Sequence, residues 1–384
     1  MQVEVVIVGA GLVGTSLALA LGQRGIRVAL VEPAPPPVPG PEWDARIYAI
    51  GPASVAFLES LGAWQAIDAA RLQPVERMAI AGNRPAAALS FSAYESGVAR
   101  LATIAESGRI AHALWECLGA GVARVVGRRC AALTVAPDAA QLVLDDGEEI
   151  AAHLVVGADG AGSWVRQAAG IEARVHDYGQ LGVVANFACE RGHGGTAHQW
   201  FRGDGVLAYL PLPGARMSMV WSTPEAHARE LMALSAEALE ARVAAAGESR
   251  LGRLRLLAPA QGFPLRRIEA RPLVVPRIAL VGDAAHVVHP LAGQGVNLGF
   301  GDAAVLAETL AARETFRDCG DPAVLRRYAR ARAEAILAMR TVTDGLVRLF
   351  GATGRLPDAV RNRGLNFTDR LPVLKNLLVR HALG

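Results

Sequence analysis

The stretch that most limits the fold stands at the start of the chain. Residues 3–8 form a β-branched run of the sort buried on both faces of a parallel sheet. Gly9-Ala10-Gly11-Leu12-Val13-Gly14 follows, then an apolar helix to about Arg24, a stop at Gly25 and a second strand over residues 27–31 that ends at Glu32. A G-x-G-x-x-G pattern says little alone. Here it directly follows a strand, opens a helix, and has an acid eighteen residues beyond its last glycine, the setting of a dinucleotide fingerprint. Gly9 permits the tight turn, Gly11 lets the backbone approach a pyrophosphate, and Gly14 lets helix and strand pack closely. The first helical turn, with Leu12 and Val13, then faces the phosphates with its positive dipole end. Glu32 is placed to accept hydrogen bonds from the adenosine ribose. The pattern leaves NAD and FAD open.

The same stretch raises two other readings. Residues 5–23 carry no charge over nineteen positions, near the minimum for a membrane span, and they lie where a signal peptide would. Gly9, Gly11, Gly14 and Gly22 interrupt the run, Glu4 precedes it, and no basic segment leads it, so neither reading is expected to hold. With 384 residues and 52% hydrophobic content the chain is long and apolar enough for two packed units, which excludes disorder. Cys117, Cys130, Cys189 and Cys319 form no CxxC, so neither a disulfide framework nor a metal site is indicated, and a cytoplasmic protein is expected.

A formal net charge of +3 argues against a nucleic-acid-coating surface. That charge is unevenly spread. Residues 322–384 hold eleven arginines and Lys375, the only lysine, against Glu334, Asp344, Asp358 and Asp369, a net +8, which leaves −5 for residues 1–321. Such an end reads either as a contact for an anionic membrane or acidic partner, or as a solvated helical face.

Further along, a Pro-rich surface loop spans residues 33–41, and helical patterns recur at 52–61 and 108–118. Alternating runs around Asp145-Asp146-Gly147 signal a hairpin. Residues 171–265 read as short alternating strands plus an Ala/Glu-rich helix, an antiparallel sheet inserted in an α/β unit. After Gly301 the pattern is almost wholly helical. Two more buried-type strands end at Gly157-Ala158-Asp159-Gly160 and at Gly282-Asp283. In open α/β sheets ligands bind beyond such carboxyl ends, so Asp159 and Asp283 are candidates to reach a bound dinucleotide. Past Asp283, a proline fixes the loop, two glycines allow close backbone approach, and a helix begins near Gly295.

On these residues the chain resembles the flavin-dependent aromatic hydroxylases of ubiquinone biosynthesis, within the p-hydroxybenzoate-hydroxylase-like flavin monooxygenases. The stretch from His289 through Pro290, Leu291, Ala292, Gly293, Gln294, Gly295, Val296 and Asn297 to Asp302 matches that family's signature. The likeness continues at Asp44-Ala45-Arg46, Leu210-Pro211-Leu212, Trp221-Ser222 and the tail motif that ends in Ala382-Leu383-Gly384. The resemblance implies a Rossmann-like FAD domain over 1–170 and 266–302, a substrate domain over 171–265, and a helical region over 303–384. It implies that Gly9, Gly11, Leu12, Val13, Gly14 and Glu32 hold the ADP half of FAD. Arg46 would lie near flavin and pyrophosphate, and Asp159 would serve FAD and NAD(P)H together. Asp283 would bind the ribityl chain, Pro290 would lie beside the isoalloxazine, Gly295 to Asn297 would sit at the pyrimidine ring, and Gly293 and Gln294 would also bind the cofactor.

The chemistry implied is reduction of FAD by NAD(P)H, formation of a flavin C4a-hydroperoxide with O₂, and hydroxylation of the ring of a polyprenylated phenol or quinol. No nucleophile–base constellation is needed, and no residue is singled out as catalytic. His286 and His289 are read as loop-fixing, with handling of a phenolic proton as the alternative, and Tyr178 and Tyr209 as packing. Ser107 departs from the Asn, Gln or Arg expected near the flavin, and Gly192 and Gly194 depart from a stretch that often carries proline. The lipid tail of such a substrate gives the basic C-terminal end a use, as a peripheral contact with the inner membrane or with biosynthetic partners. The rival readings are a hydroxylase of another small aromatic, a prenyl-chain reductase, and a flavin-free prenyl-binding protein of the same fold.

Overall fold

A computed structural model describes residues 1–82, 88–289 and 295–351. Strand β1 (Gln2–Val8) lies inside a mostly parallel sheet ordered Val274–Val275, Ile278–Leu280, Glu149–Gly157, β1, β2 (Val28–Glu32), Val122–Val126. Val5 pairs in parallel with Val28 on one side and Leu154 on the other. Alternation of side chains across each strand explains the near-continuous apolar runs. Val5, Ile7 and Leu30 pack with helix α1 (Leu12–Gly22) and with Phe300 and Ala303 of the Gly295–Ala311 helix, whereas Val6, Val8 and Ala29 pack with Leu142 and Leu144 behind the sheet. A valine or isoleucine wholly buried in this way contributes about 1.5–3 kcal/mol before its entropy cost. The hairpin expected around Asp145-Asp146-Gly147 joins Ala140–Leu144 to the start of Glu149–Gly157, with Gly147 at a φ of +86°.

A second sheet, of nine strands among the described residues, follows a different rule. Its central member, Glu172–Cys189, is eighteen residues long and pairs antiparallel with Arg216–Pro224 and Gln261–Arg271. Gly205–Leu212 and Thr196–Arg202 extend it. Arg77–Ala81 and Ala88–Ser92, which lie far earlier in the chain, complete that edge through a parallel pairing with Thr196–Arg202. One face, with Phe187, Tyr209, Met217 and Trp221, is covered by the helices Glu225–Ala233 and Ala236–Ala246. The other face turns toward the first half of the molecule. There Ala197 and Leu212 pack with Ile47 and Ile104 of a small sheet that contains Ile47–Ile50 and Ala102–Glu106, and the Asn186 amide donates to the Asp44 carbonyl at 2.9 Å.

The helix Pro322–Gly351 closes the described chain, and among the described residues no helix is long and apolar enough to cross a membrane. Residues 352–384, with half of the basic end, lie outside the described residues, as do Pro290, Gly293 and Gln294.

Candidate functional site

Four strand ends converge on one crevice. β1 runs into Gly9, β2 ends at Glu32, Glu149–Gly157 leads to Asp159, and Ile278–Leu280 leads to Gly282 and Asp283. The chain leaves β1 toward β2 on one side and returns to its other side only at Glu149–Gly157, so the crevice sits where the strand order reverses.

The three fingerprint glycines stand in different surroundings. Gly9 has a φ of +103°, and a Cβ there would lie 2.5 Å from the Ala158 carbonyl oxygen. A Cβ on Gly14 would lie 1.9 Å from the Gly9 carbonyl oxygen, the contact that lets α1 press against the turn. At Gly11 an added Cβ would meet nothing within 4 Å. Gly11 is also the N-cap of α1 and supplies no side-chain cap, so the first helical N–H groups face this opening with the positive end of the dipole. That opening fits a pyrophosphate. Leu12 packs partly on the core, and Val13 wedges against Gly282 and Gly299, so both act through packing and backbone.

Glu32 stands at the rim of the same turn, where its Oε2 accepts the Ala10 N–H at 2.6 Å. Asp159 caps the short Trp164–Ala168 helix by accepting from the Ser163 hydroxyl at 2.5 Å and the Val165 N–H at 3.1 Å. Its place in the crevice comes from the Ala158-Asp159 backbone that closes on Gly9. Asn297, expected at the flavin, clamps the neighbouring chain: its Nδ2 donates to the Ala49 carbonyl and its Oδ1 accepts the Gly51 N–H, both at 2.9 Å. Gly295 opens its helix as expected, and Val296 packs on the core.

Asp283 is open to the crevice yet surrounded by protein atoms. Burial raises its carboxyl above the ordinary carboxylate range, against the positive charge of His286 and Arg46. Arg46 is exposed; its backbone N–H donates to Asp44 Oδ1 at 2.9 Å, and its guanidinium stands 5.1 Å from the centre of the Phe263 ring on the second sheet. The sequence did not single out Tyr48. Burial raises its phenol pKa, Arg46 opposes this, and the side chain lies within range of both Asp283 and Ser107. Ser107 therefore meets a phenol at the position where a longer polar side chain was expected.

Two buried ionic networks hold these parts. Asp302 is fully buried and accepts the Gly282 N–H at 2.9 Å, His286 Nε2 at 2.6 Å and Arg332 Nε at 2.7 Å. Burial opposes charge on His286, but the Asp302 carboxylate and its hydrogen bond outweigh it and raise the imidazole pKa. Burial likewise opposes charge on Asp302, and His286, Arg332 and the Gly282 N–H together hold its pKa down. His286 thus has the loop-fixing role read from sequence. The second network centres on Glu106, which accepts from the Asp44 N–H, from two Arg71 nitrogens and from Arg109 Nε, at 2.7–2.9 Å. Arg71 and Arg109 also donate to the carbonyls of Gly40, Pro41 and Glu42, which pins the end of the Pro-rich loop beside Arg46. Neither network was legible as a motif, although Asp302 closes the signature stretch.

On the second-sheet side of the crevice, His289 Nε2 lies 3.2 Å from Gln180 Oε1, and the His289 ring meets Tyr178 edge-on at 4.8 Å. Tyr209 is core, its hydroxyl bonded to the Val243 carbonyl at 2.6 Å. The Gly192–Gly194 departure is held by His193, whose Nδ1 accepts the Gly195 N–H while Nε2 faces the Leu212 and Gly214 carbonyls at 2.8 and 2.9 Å.

Comparison with known proteins agrees with this geometry. Residues 2–343 match the model of a family described as an FAD binding domain. The 3-demethoxyubiquinol 3-hydroxylase of Escherichia coli is 39% identical over 391 residues, covering 99% of this chain and 98% of that protein. Ubiquinone hydroxylase UbiL of Rhodospirillum rubrum is 36% identical, covering 99% and 89%. Among solved structures, PqsL, a probable FAD-dependent monooxygenase from Pseudomonas aeruginosa, superposes with a TM-score of 0.78 at 26% identity, over 96% of this chain and all of that one. The chain belongs to the FAD-dependent monooxygenases, in the family that includes the hydroxylases of ubiquinone biosynthesis.

Proposed function

We propose that this chain hydroxylates the aromatic ring of a polyprenylated phenol or quinol, with NAD(P)H as transient reductant and O₂ as oxygen source. The observation that carries the reading is the open space at Gly11, beside the α1 N-terminus and the Glu32 carboxylate that holds the Ala10 N–H. Its support is the 3-demethoxyubiquinol 3-hydroxylase of Escherichia coli, similar over 98% of that protein. FAD, when bound, supplies the oxygen chemistry. The protein's share is placement. Gly9, Gly11, Gly14 and Glu32 hold the ADP half, and Arg46, Asp159 and Asp283 hold the remainder. Pro290, Gly293 and Gln294 join Gly295, Val296 and Asn297 at the ring end. Residues 1–170 and 266–302 serve the cofactor, apart from the strands at 77–81, 88–92 and 266–271 that they lend to the second sheet, and 171–265 face the substrate. The basic region within 303–384 is assigned to peripheral contact with an anionic membrane or a biosynthetic assembly.

Reaction of the purified protein with ¹⁸O₂, a reductant and a short-tailed quinol tests this directly. One labelled oxygen in the ring product is expected. A reduced prenyl chain without label, or a colourless protein that fails to take up FAD, overturns it. Deletion beyond Leu365 is expected to abolish co-sedimentation with anionic vesicles; unchanged co-sedimentation and complex formation remove the C-terminal assignment.

A further inference from the structure

The Pro322–Gly351 helix reaches the cofactor crevice without touching it. Tyr328 and Arg332 stand four residues apart, on one face of the helix, and both are buried. The Tyr328 hydroxyl donates to the Leu280 carbonyl at 2.9 Å, on the strand side of the Gly282–Asp283 turn. Arg332 works on the other side: Nε donates to Asp302 Oδ1 at 2.7 Å and Nη2 to the Leu298 carbonyl at 3.0 Å. The second oxygen of Asp302 accepts the Gly282 N–H and faces His286. The Gly282 φ of +58° and the Val13 methyl 3.1 Å from where a Cβ would stand make the turn a tight one; the Ala285 N–H closes it on the Gly282 carbonyl at 2.9 Å, and Asp302 holds the Gly282 N–H from the other side. Asp302 without Arg332 would be a buried carboxylate short of one of its two cationic neighbours, a costly arrangement that a turn can relieve by moving.

We propose that Arg332 is a positioning residue for FAD, acting through Asp302 to hold the Gly282–Asp283 turn in the shape that presents Asp283 to the cofactor. The proposal rests on the FAD reading of Asp283. It also places one buried positive charge beneath the turn, where it favours an electron-rich cofactor.

The test uses full-length holoenzyme and reads the FAD dissociation constant by flavin fluorescence, together with the flavin midpoint potential. Arg332→Leu is expected to weaken FAD by at least about tenfold, the scale of one lost hydrogen bond to a charged group, and to lower the midpoint potential. Arg332→Lys keeps the charge but cannot make both contacts, so it is expected to restore the potential and only part of the affinity. Arg277→Leu is the control. Arg277 is as buried and pairs with Asp318, but it sits at the opposite end of the Ile278–Leu280 strand. It is expected to lower thermal stability while leaving affinity and potential within twofold of wild type.

Arg332→Leu indistinguishable from wild type in both readouts refutes the proposal, as does an equal effect of Arg277→Leu. Asp283→Asn separates the proposal from its premise. If Asp283→Asn weakens FAD and Arg332→Leu does not, Arg332 is only structural. If Arg332→Leu acts and Asp283→Asn does not, the route through Asp283 falls. Should Arg332→Leu fail to fold, the same readouts on Arg332→Lys decide: affinity equal to wild type overturns the proposal, and partial loss supports it.

Discussion

Gly11 and Gly14 belong to one motif, three residues apart, and the structure assigns them opposite failures. At Gly14 an alanine methyl would stand 1.9 Å from the Gly9 carbonyl oxygen, against a closest normal approach of 3.0 Å, so α1 and the turn must part by about 1 Å. Both partners are backbone and cannot swing away, so the change costs the overpacking range of about 1–3 kcal/mol in the protein without FAD. At Gly11 the methyl meets nothing within 4 Å, and the local φ of −67° and ψ of −176° suit alanine. The small loss as an N-cap and the gain from a stiffer unfolded chain nearly cancel, so apoprotein stability should stay within about 1 kcal/mol. On the proposed reading the methyl would occupy the pyrophosphate's place. Losing one charge-assisted hydrogen bond there costs about 1.5–3 kcal/mol, a roughly ten- to hundredfold rise in the FAD dissociation constant. Urea unfolding of the apoproteins and FAD titration by fluorescence read the two effects separately. A Gly11→Ala protein that loses apo stability as Gly14→Ala does, while binding FAD normally, would make the fingerprint a packing motif and sink the cofactor argument at this position.

Two further outcomes follow from buried charge. Glu106→Gln keeps the shape but leaves Arg71 and Arg109 facing a neutral amide; it is expected to cost about 3–5 kcal/mol in urea unfolding and to speed tryptic cleavage near Arg46, and an unchanged midpoint would show that the network contributes nothing. His198 is pushed down to about 4 by burial, then by the nearby positive charges of Arg250 and His193. The unfolded chain binds its proton first, so this residue contributes a loss of stability as pH falls from about 6.5 to about 4, roughly 2–3 kcal/mol over the window. His198→Gln should flatten that limb of a stability–pH profile, and an identical profile would refute the assignment.

How much of this was legible depended on the distance between partners. β1, the fingerprint and Glu32 were readable because their signals are local: a strand pattern, glycine spacing and one acid at a strand end. The hairpin around Gly147 was readable for the same reason. Membership of Arg77–Ala81 and Ala88–Ser92 in the second sheet was not, because it depends on Thr196–Arg202, more than a hundred residues away. Glu106 and Arg71 carry no motif and meet only when the small sheet forms. Arg332 was counted as one charge among twelve in a basic end, yet folding buries it. Asn297 shows the reverse case: the motif marks its place, but both ends of its side chain bond to residues 49 and 51 of the chain beside it.

The strand order also sets a timetable for synthesis. β1 is flanked by β2, available soon after, and by Glu149–Gly157, which is not yet made when β1 leaves the ribosome. At about 5–20 residues per second the nascent chain carries β1 for roughly 7–30 s with one apolar edge unmatched. The second sheet waits longer, since Arg77–Ala81 needs Thr196–Arg202 and the long central strand needs Gln261–Arg271. A ribosome stalled near residue 150 would therefore display a sticky half-sheet, and chaperone capture should peak on such intermediates and fall once residue 280 has emerged.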